Sequence, residues 1–285
     1  MRSSENKSVY DPASKRALVI GASSDIGSAL CNDWIAKNWE VAGTYRTESK
    51  TVKLLNAKMS ALVQCDLRNS KSVENVCAEL NKAMPKWDVL VLGPGLQEPA
   101  GLFHECDFDE WVESVEVNFT SQLRFLHFLL ASRSPKCMSG PTVLFFAGGG
   151  VNSAPANYSA YTVSKIALIK MVELLAVEIT DAKFLIVGPG WVKTKIHHSI
   201  LNAGERAGAS YERTLEMFKN GTFTPMEKVV ECCNALISGP REILTGRNFS
   251  VAFDRWDDPN LLELLQKHPE MYKLRRYGNT FLSTD

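Results

Sequence analysis

The 285-residue sequence has no uninterrupted run of 18 apolar residues, so it offers no candidate for a membrane-spanning helix. It has no excess of charge of either sign, since Lys plus Arg and Asp plus Glu both number 32. That balance carries no electrostatic footprint for a nucleic acid or a membrane surface. It lacks a C-x-x-C pair, and its seven cysteines, at 31, 65, 77, 106, 137, 232 and 233, are odd in number and scattered. This suits reduced thiols in a cytoplasm better than a disulfide framework or a zinc site. There is no internal repeat and no low-complexity linker. Residues 1–14 are polar, without the apolar core of a signal peptide, and read as a flexible leader.

Against these absences, one pattern recurs. Short β-branched apolar runs at 16–20, 40–45, 61–65, 88–92, 142–146, 183–187 and 248–253 alternate with amphipathic stretches. The longest of these are 25–37, 70–84, 108–131 and 158–179. Near-continuous apolar strands separated by helices predict a parallel sheet covered on both faces. With right-handed crossovers, that is a doubly wound α/β fold of the Rossmann type. Residues 15–285 are expected to form a single domain, with an insertion at about 195–225 and a C-terminal extension at about 255–285.

In such a sheet ligands bind beyond the carboxyl ends of the strands. The first strand runs into G-A-S-S-D-I-G, residues 21–27, and then a helix. Gly21 can make the turn that leaves the strand, and Gly27 lets the helix approach the sheet. The helix start, around Ser23, Ser24, Asp25 and Ile26, presents N–H groups suited to a pyrophosphate. Asp25 stands where a dinucleotide loop more often has its middle glycine. Its carboxylate either caps the helix and complements the dipole, the favoured alternative, or points inward and weakens phosphate binding. Arg46 follows the second strand, where an acidic residue would bond ribose hydroxyls and an Arg can pair with a 2′-phosphate, helped by Ser23. A solvated surface Arg is the plain alternative. Asp66, in C-D-L after the third strand, suits an adenine amino group or a helix cap. Tyr161 and Lys165 stand four apart on a predicted helix and so share one face. An ammonium beside a phenol lowers the phenol's pKa and readies it for proton transfer. Tyr158 has no such partner, because Thr162 stands four residues on.

Taken in order, these motifs resemble the short-chain dehydrogenases/reductases over about residues 15–253. The glycine loop matches with Asp25 in place of its middle glycine, and Asp66 with Leu67 matches the adenine contact. V-L-V-L-G-P-G, 89–95, stands where the family has N-N-A-G. There Leu92 and Gly93 replace the asparagines and Gly95 keeps the final glycine. Asn118 in V-E-V-N-F matches the helix asparagine, and Y-T-V-S-K supplies Tyr161 and Lys165. G-P-G-W-V-K-T, with Pro189, Gly190, Val192 and Thr194, matches the segment beside the nicotinamide.

The resemblance implies a cytoplasmic oxidoreductase with a catalytic set of Tyr161, Lys165 and Asn118. Lys165 would hold the nicotinamide ribose and Asn118 a water. The cofactor would be NADP(H) by preference, with NAD(H) as the other option. The substrate would be a small-molecule carbonyl or alcohol, and the assembly a homodimer or homotetramer. The insertion at 195–225 takes the lid position, where His197 and His198 either meet an anionic substrate or are loop polar groups. Adjacent histidines are not metal-ligand spacing on a helix, so no metal is expected. The tail loosely resembles those of members acting on sugar derivatives. Its Lys273, Arg275 and Arg276 either meet a phosphate or are solvated, and it packs over the site or at a subunit contact.

One family residue is missing. The Ser that lies about thirteen before the Tyr is Gly148 here. A glycine N–H, Ser153, Ser159 or the substrate itself could replace its hydrogen bond. Otherwise the chain is a catalytically impaired dinucleotide-binding sensor or scaffold.

Overall fold

A computed structural model describes residues 15–135 and 140–277. The leader at 1–14, Cys137, and the part of the C-terminal extension past 277 lie outside the described residues. The seven expected strands are β1 (Arg16–Ile20), β2 (Glu40–Tyr45), β3 (Ala61–Gln64), β4 (Val89–Leu92), β5 (Thr142–Phe146), β6 (Lys183–Gly188) and β7 (Arg247–Ser250). They form one parallel sheet of order β3-β2-β1-β4-β5-β6-β7, which is the doubly wound arrangement. Because every strand runs the same way, all seven carboxyl ends open on one edge.

Side-chain alternation divides the core in two. Leu18, Ile20, Leu90, Leu92, Phe145 and Ile186 face α3 (Ser70–Ala83), α5 (Ser121–Leu129) and α6 (Ser159–Glu178). Ala17, Val19, Val91, Leu144 and Val187 face α1 (Asp25–Ala36), α9 (Met226–Ser238) and α10 (Leu261–Lys267). The central strands are apolar at consecutive positions because both of their faces are buried.

The structure departs from the periodicity in four places. A short helix, α2 (Lys50–Asn56), precedes β3 and was not anticipated. The stretch 108–131 is not one α-helix: α4 (Phe108–Val115) passes through a π turn at Glu116–Thr120 before α5. The insertion at 195–225 is mostly helical, with α7 (Ile196–Ala203) and α8 (Ala209–Asn220) joined by a 3₁₀ turn. The last strand ends at Ser250, and 251–253 turn away to the extension.

Lys183, the first residue of β6, is fully buried. Its Nζ donates to the carbonyls of Leu236, Ile237 and Gly239 at 2.9, 2.7 and 2.7 Å, at the end of α9. A helix C-terminus leaves carbonyls unmet, and here a β6 side chain meets them from beneath. Lys183→Met keeps the stem and strands the carbonyls. It is expected to cost roughly 3 kcal/mol, read as a fall in the urea midpoint with an unchanged slope.

Candidate active site

The glycine loop folds as its residues require. Gly21 has φ +82, which favours glycine. A Cβ on Gly27 would stand 2.4 Å from the Gly21 carbonyl oxygen, so α1 can approach only with glycine there. Ser24 is the N-cap, its Oγ accepting from Gly27 N at 3.0 Å. Asp25 is therefore not the cap. It sits in the first turn, where it complements the dipole, and its carboxylate accepts from the backbone N of Lys195 at 2.7 Å. That contact spans 170 residues and ties the loop to the start of α7, which no local pattern could announce.

Arg46 and Asp66 lie on one cleft. Both are exposed, and both line an open cleft of 480 Å³ with Thr47, Gln64, Arg68 and Ser72. Gln64 braces the Arg46 carbonyl at 3.0 Å. Asp66 does not cap α3, since Asn69 does; it accepts from Arg68 N instead. Leu67 is buried, and its carbonyl accepts from Ser121 Oγ at 2.6 Å. The cleft holds the guanidinium of Arg46, that of Arg68, which pairs with Glu113 at 3.0 Å, a carboxylate and hydroxyls, groups able to meet a phosphorylated adenosine.

At the centre of the sheet edge, Gly93 N bonds the Ile20 carbonyl and Pro94 lies over Gly21. Gly95 faces Ile196 of α7. Asn118, fully buried in the π turn, pairs with both backbone groups of Leu96: its Oδ1 accepts at 2.8 Å and its Nδ2 donates at 2.6 Å. A π turn carries an extra residue into the helix, and here it turns the amide toward the strand end. Gln122, one turn on and also fully buried, donates to the carbonyls of Asn118 (2.8 Å) and Pro94 (3.1 Å). Gln122 was missed in the sequence. Its signal is a polar residue four after Asn118, on the face that carries Val117, Phe125 and Leu129 into the core.

Tyr161 and Lys165 share a face of α6. Lys165 is buried, its Nζ 3.4 Å from the Pro94 carbonyl and 5.7 Å from the Tyr161 ring centre. Burial, rather than the neighbouring ammonium, governs the phenol. It pushes Tyr161 up to about 12 and brings Lys165 down from 10.5 to about 8. The expectation of a lowered Tyr161 pKa is therefore reversed here, because desolvation disfavours both charged forms.

Gly148 follows β5 and faces Tyr161. A Cβ at 148 would lie 2.6 Å from the tyrosine Cε1 and 2.8 Å from its hydroxyl. Neither nearby serine fills the gap. Ser153 is exposed, and Ser159 Oγ accepts from Trp111 Nε1 at 3.0 Å.

The remaining segment joins the insertion at 195–225 to the core. Gly190 has φ +77, and Val192 is buried. Pro189 precedes the Gly190 turn, and the Thr194 carbonyl accepts from His197 N. His197 is not a surface contact for an anion. It is buried, stacked on Trp191 at 5.2 Å and bonded through Nε2 to the Val192 carbonyl at 2.8 Å. Burial holds its pKa below the ordinary histidine value. His198 is exposed. In the tail, Arg275 pairs with Glu173 and Glu270, and Lys273 with Glu270, so these cations serve intramolecular contacts, while Arg276 is exposed. Among the described residues there is no cluster able to hold a metal, and no helix is long and apolar enough to cross a membrane.

The family model described as short chain dehydrogenase matches residues 15–204. The chain belongs to the short-chain dehydrogenase family. It is an oxidoreductase of that type. It is 26% identical over 250 residues to an NAD-dependent glycerol dehydrogenase of Listeria innocua, covering 85% of this chain and 94% of that one. It is also 26% identical over 243 residues to a 3-oxoacyl-[acyl-carrier-protein] reductase of Salmonella typhimurium, covering 83% and 95%. A solved short-chain dehydrogenase/reductase of Saccharomyces cerevisiae shares the fold with a TM-score of 0.74 at 23% identity, covering 87% and 98%. Pseudomonas aeruginosa RhlG, solved with NADP, does so at 0.69 and 20%, covering 83% and 94%.

The packing at 148 is open to test in this short-chain dehydrogenase without a substrate. Gly148→Ala overpacks against Tyr161 and is expected to cost about 1–3 kcal/mol. Gly149→Ala, whose Cβ meets nothing within 4 Å, is expected to cost under about 0.5 kcal/mol. Paired thermal unfolding of the two variants checks the difference.

Proposed function

We propose that this short-chain dehydrogenase is an NADP(H)-preferring enzyme that interconverts a small-molecule carbonyl and its alcohol, with Tyr161 exchanging the proton. The observation that carries the proposal is the Tyr161–Lys165 pair on α6, at the carboxyl edge of the sheet, with Lys165 held by the carbonyl of Pro94. A bound nicotinamide dinucleotide would supply or take the hydride. Gly21, Ser23, Ser24, Asp25, Ile26 and Gly27 would hold its pyrophosphate and Arg46 its 2′-phosphate. Asp66 and Leu67 would hold the adenine. Gly93, Gly95, Pro189, Gly190, Val192 and Thr194 would line the nicotinamide half. The steric demand at Gly27 and the two arginines of the 480 Å³ cleft support that fit.

Each catalytic residue then has a physical task. Burial keeps Tyr161 a phenol, which favours giving a proton to a carbonyl oxygen over taking one from an alcohol. The Lys165 ammonium stabilises the phenolate left behind. Asn118 acts by fixing Leu96, and through it the segment 93–96, rather than by touching substrate. The helical insertion at 195–225 acts as a lid. The apolar side chains Val163, Leu174 and Val177, exposed on α6, support a homodimer or homotetramer.

NADP preference rests on Arg46, since the relatives' names include an NAD-dependent enzyme. Arg46→Ala is expected to weaken NADPH binding by about 10–100-fold and NADH binding little. Calorimetric titration with each nucleotide checks it.

Gly148 favours a second reading, a protein that binds the dinucleotide and has lost turnover, because no side-chain donor stands there. The pH profile separates the two. An active enzyme should hold its kcat/KM for carbonyl reduction constant up to about pH 8 and lose it above, as Lys165 gives up its proton. Tyr161→Phe should abolish the reaction at every pH. Nucleotide binding with no turnover in the unaltered protein would leave the sensor.

A further inference from the structure

Tyr158 stands just before α6, and its hydroxyl is buried without a hydrogen-bond partner. The residue is 6% exposed. A buried donor left unmet is costly and asks for an explanation. Three residues later comes Tyr161. Thr162 also has an unpartnered hydroxyl, and its methyl group lies against Gly150. Both tyrosines belong to one apolar cluster with Ala100, and with Ile200 and Ala207 of the insertion. Trp191 and Tyr211 pack on the same cluster. Tyr158 therefore shares its packing with Tyr161 and with the insertion.

We propose that the Tyr158 hydroxyl donates a hydrogen bond to the substrate oxygen, supplying from α6 what position 148 cannot. The proposal rests on the carbonyl–alcohol reading above. Burial pushes Tyr158 up to about 12, so the phenol is a donor across the working pH range. Tyr158 keeps its proton throughout. In reduction the carbonyl π bond breaks, the carbon gains the hydride of a reduced nicotinamide, and the oxygen gains the proton of Tyr161. The side chains packed on this cluster, Trp191, Tyr211 and Ile200, point to a ketone with an apolar, ring-sized body.

The test compares the unaltered protein, Tyr158→Phe and Tyr161→Phe, each with NADPH. Turnover is measured on cyclohexanone and acetophenone. Calorimetric binding of 2-piperidone to the NADPH-loaded protein serves as a second readout, since a lactam accepts hydrogen bonds at its carbonyl and resists hydride. The expected result is a fall in kcat of roughly 100-fold for Tyr158→Phe and a loss of about tenfold in lactam affinity. NADPH affinity and the thermal midpoint should be unchanged, because the lost hydroxyl had no partner to lose. Full turnover and lactam binding in Tyr158→Phe, with Tyr161→Phe inactive, would overturn the Tyr158 assignment and leave the oxidoreductase reading standing. If the unaltered protein turns over neither ketone but binds the lactam, the binding arm alone decides Tyr158. If it does neither, no ketone-like oxygen is held there and the assignment falls with the reading.

Discussion

Two buried donors reach the carbonyl oxygen of Pro94, Gln122 Nε2 at 3.1 Å and Lys165 Nζ at 3.4 Å. Two residues on, both backbone groups of Leu96 are taken by the Asn118 amide. A buried cation and two buried amides cannot be left without acceptors, so the segment after β4 is fixed from three sides. It in turn sets its neighbours. Pro94 packs on Gly21 of the glycine loop, and Gly95 on Ile196 of the insertion. Pro94 has no N–H to satisfy, which suits a residue wedged between a turn and a helix. The π turn is a consequence of this arrangement. Without its extra residue, Asn118 would not meet Leu96 while α5 keeps Phe125 and Leu129 in the core.

The insertion is held by contacts of two kinds. Asp25 binds its first residue through the backbone of Lys195. Arg213 lies 4.8 Å over Trp191, which stacks on His197, so a cation and two rings clamp α8 and α7 to the turn after β6. Both contacts run between the glycine loop or the β6 turn and the cover above. A displacement of the insertion would therefore disturb the glycine loop and the turn after β6 together.

The far edge of the sheet is protected by the chain itself. β7 is an edge strand, and an open edge invites pairing with another chain. Here Asn248 N bonds the Tyr272 carbonyl, and Tyr272 meets Phe249 edge-on. Buried Arg247 donates to the carbonyls of Ile243, Leu265 and Met271, locking the extension beneath the strand. Glu173 of α6 then receives Leu274 N and Arg275. Lys273 and Arg275 of the tail are thus spent on the protein's own carboxylates and carbonyls.

The strands and the long helices were legible because burial on both faces writes continuous apolar runs, and because Gly21 and Gly27 answer local steric demands. β1, β2 and β5 match the predicted runs residue for residue. The pairing of Tyr161 with Lys165 follows from their spacing alone. What the sequence could not express are contacts between residues far apart in it. The carboxylate of Asp25 finds Lys195, His197 turns inward onto Trp191, and the π turn exists to meet Leu96. The proton affinities of Tyr161 and Lys165 belong to the same class, since spacing puts the two side by side while only the packed interior removes the water that would stabilise their charged forms. Sequence by itself determined the doubly wound sheet and which residues gather at its carboxyl edge, because those depend on short-range periodicity and turn chemistry. Tertiary structure alone decided which of them are dry, which are tied down, and that a tyrosine ring lies where a side chain at 148 would begin, because those depend on the space left when distant segments close on one another.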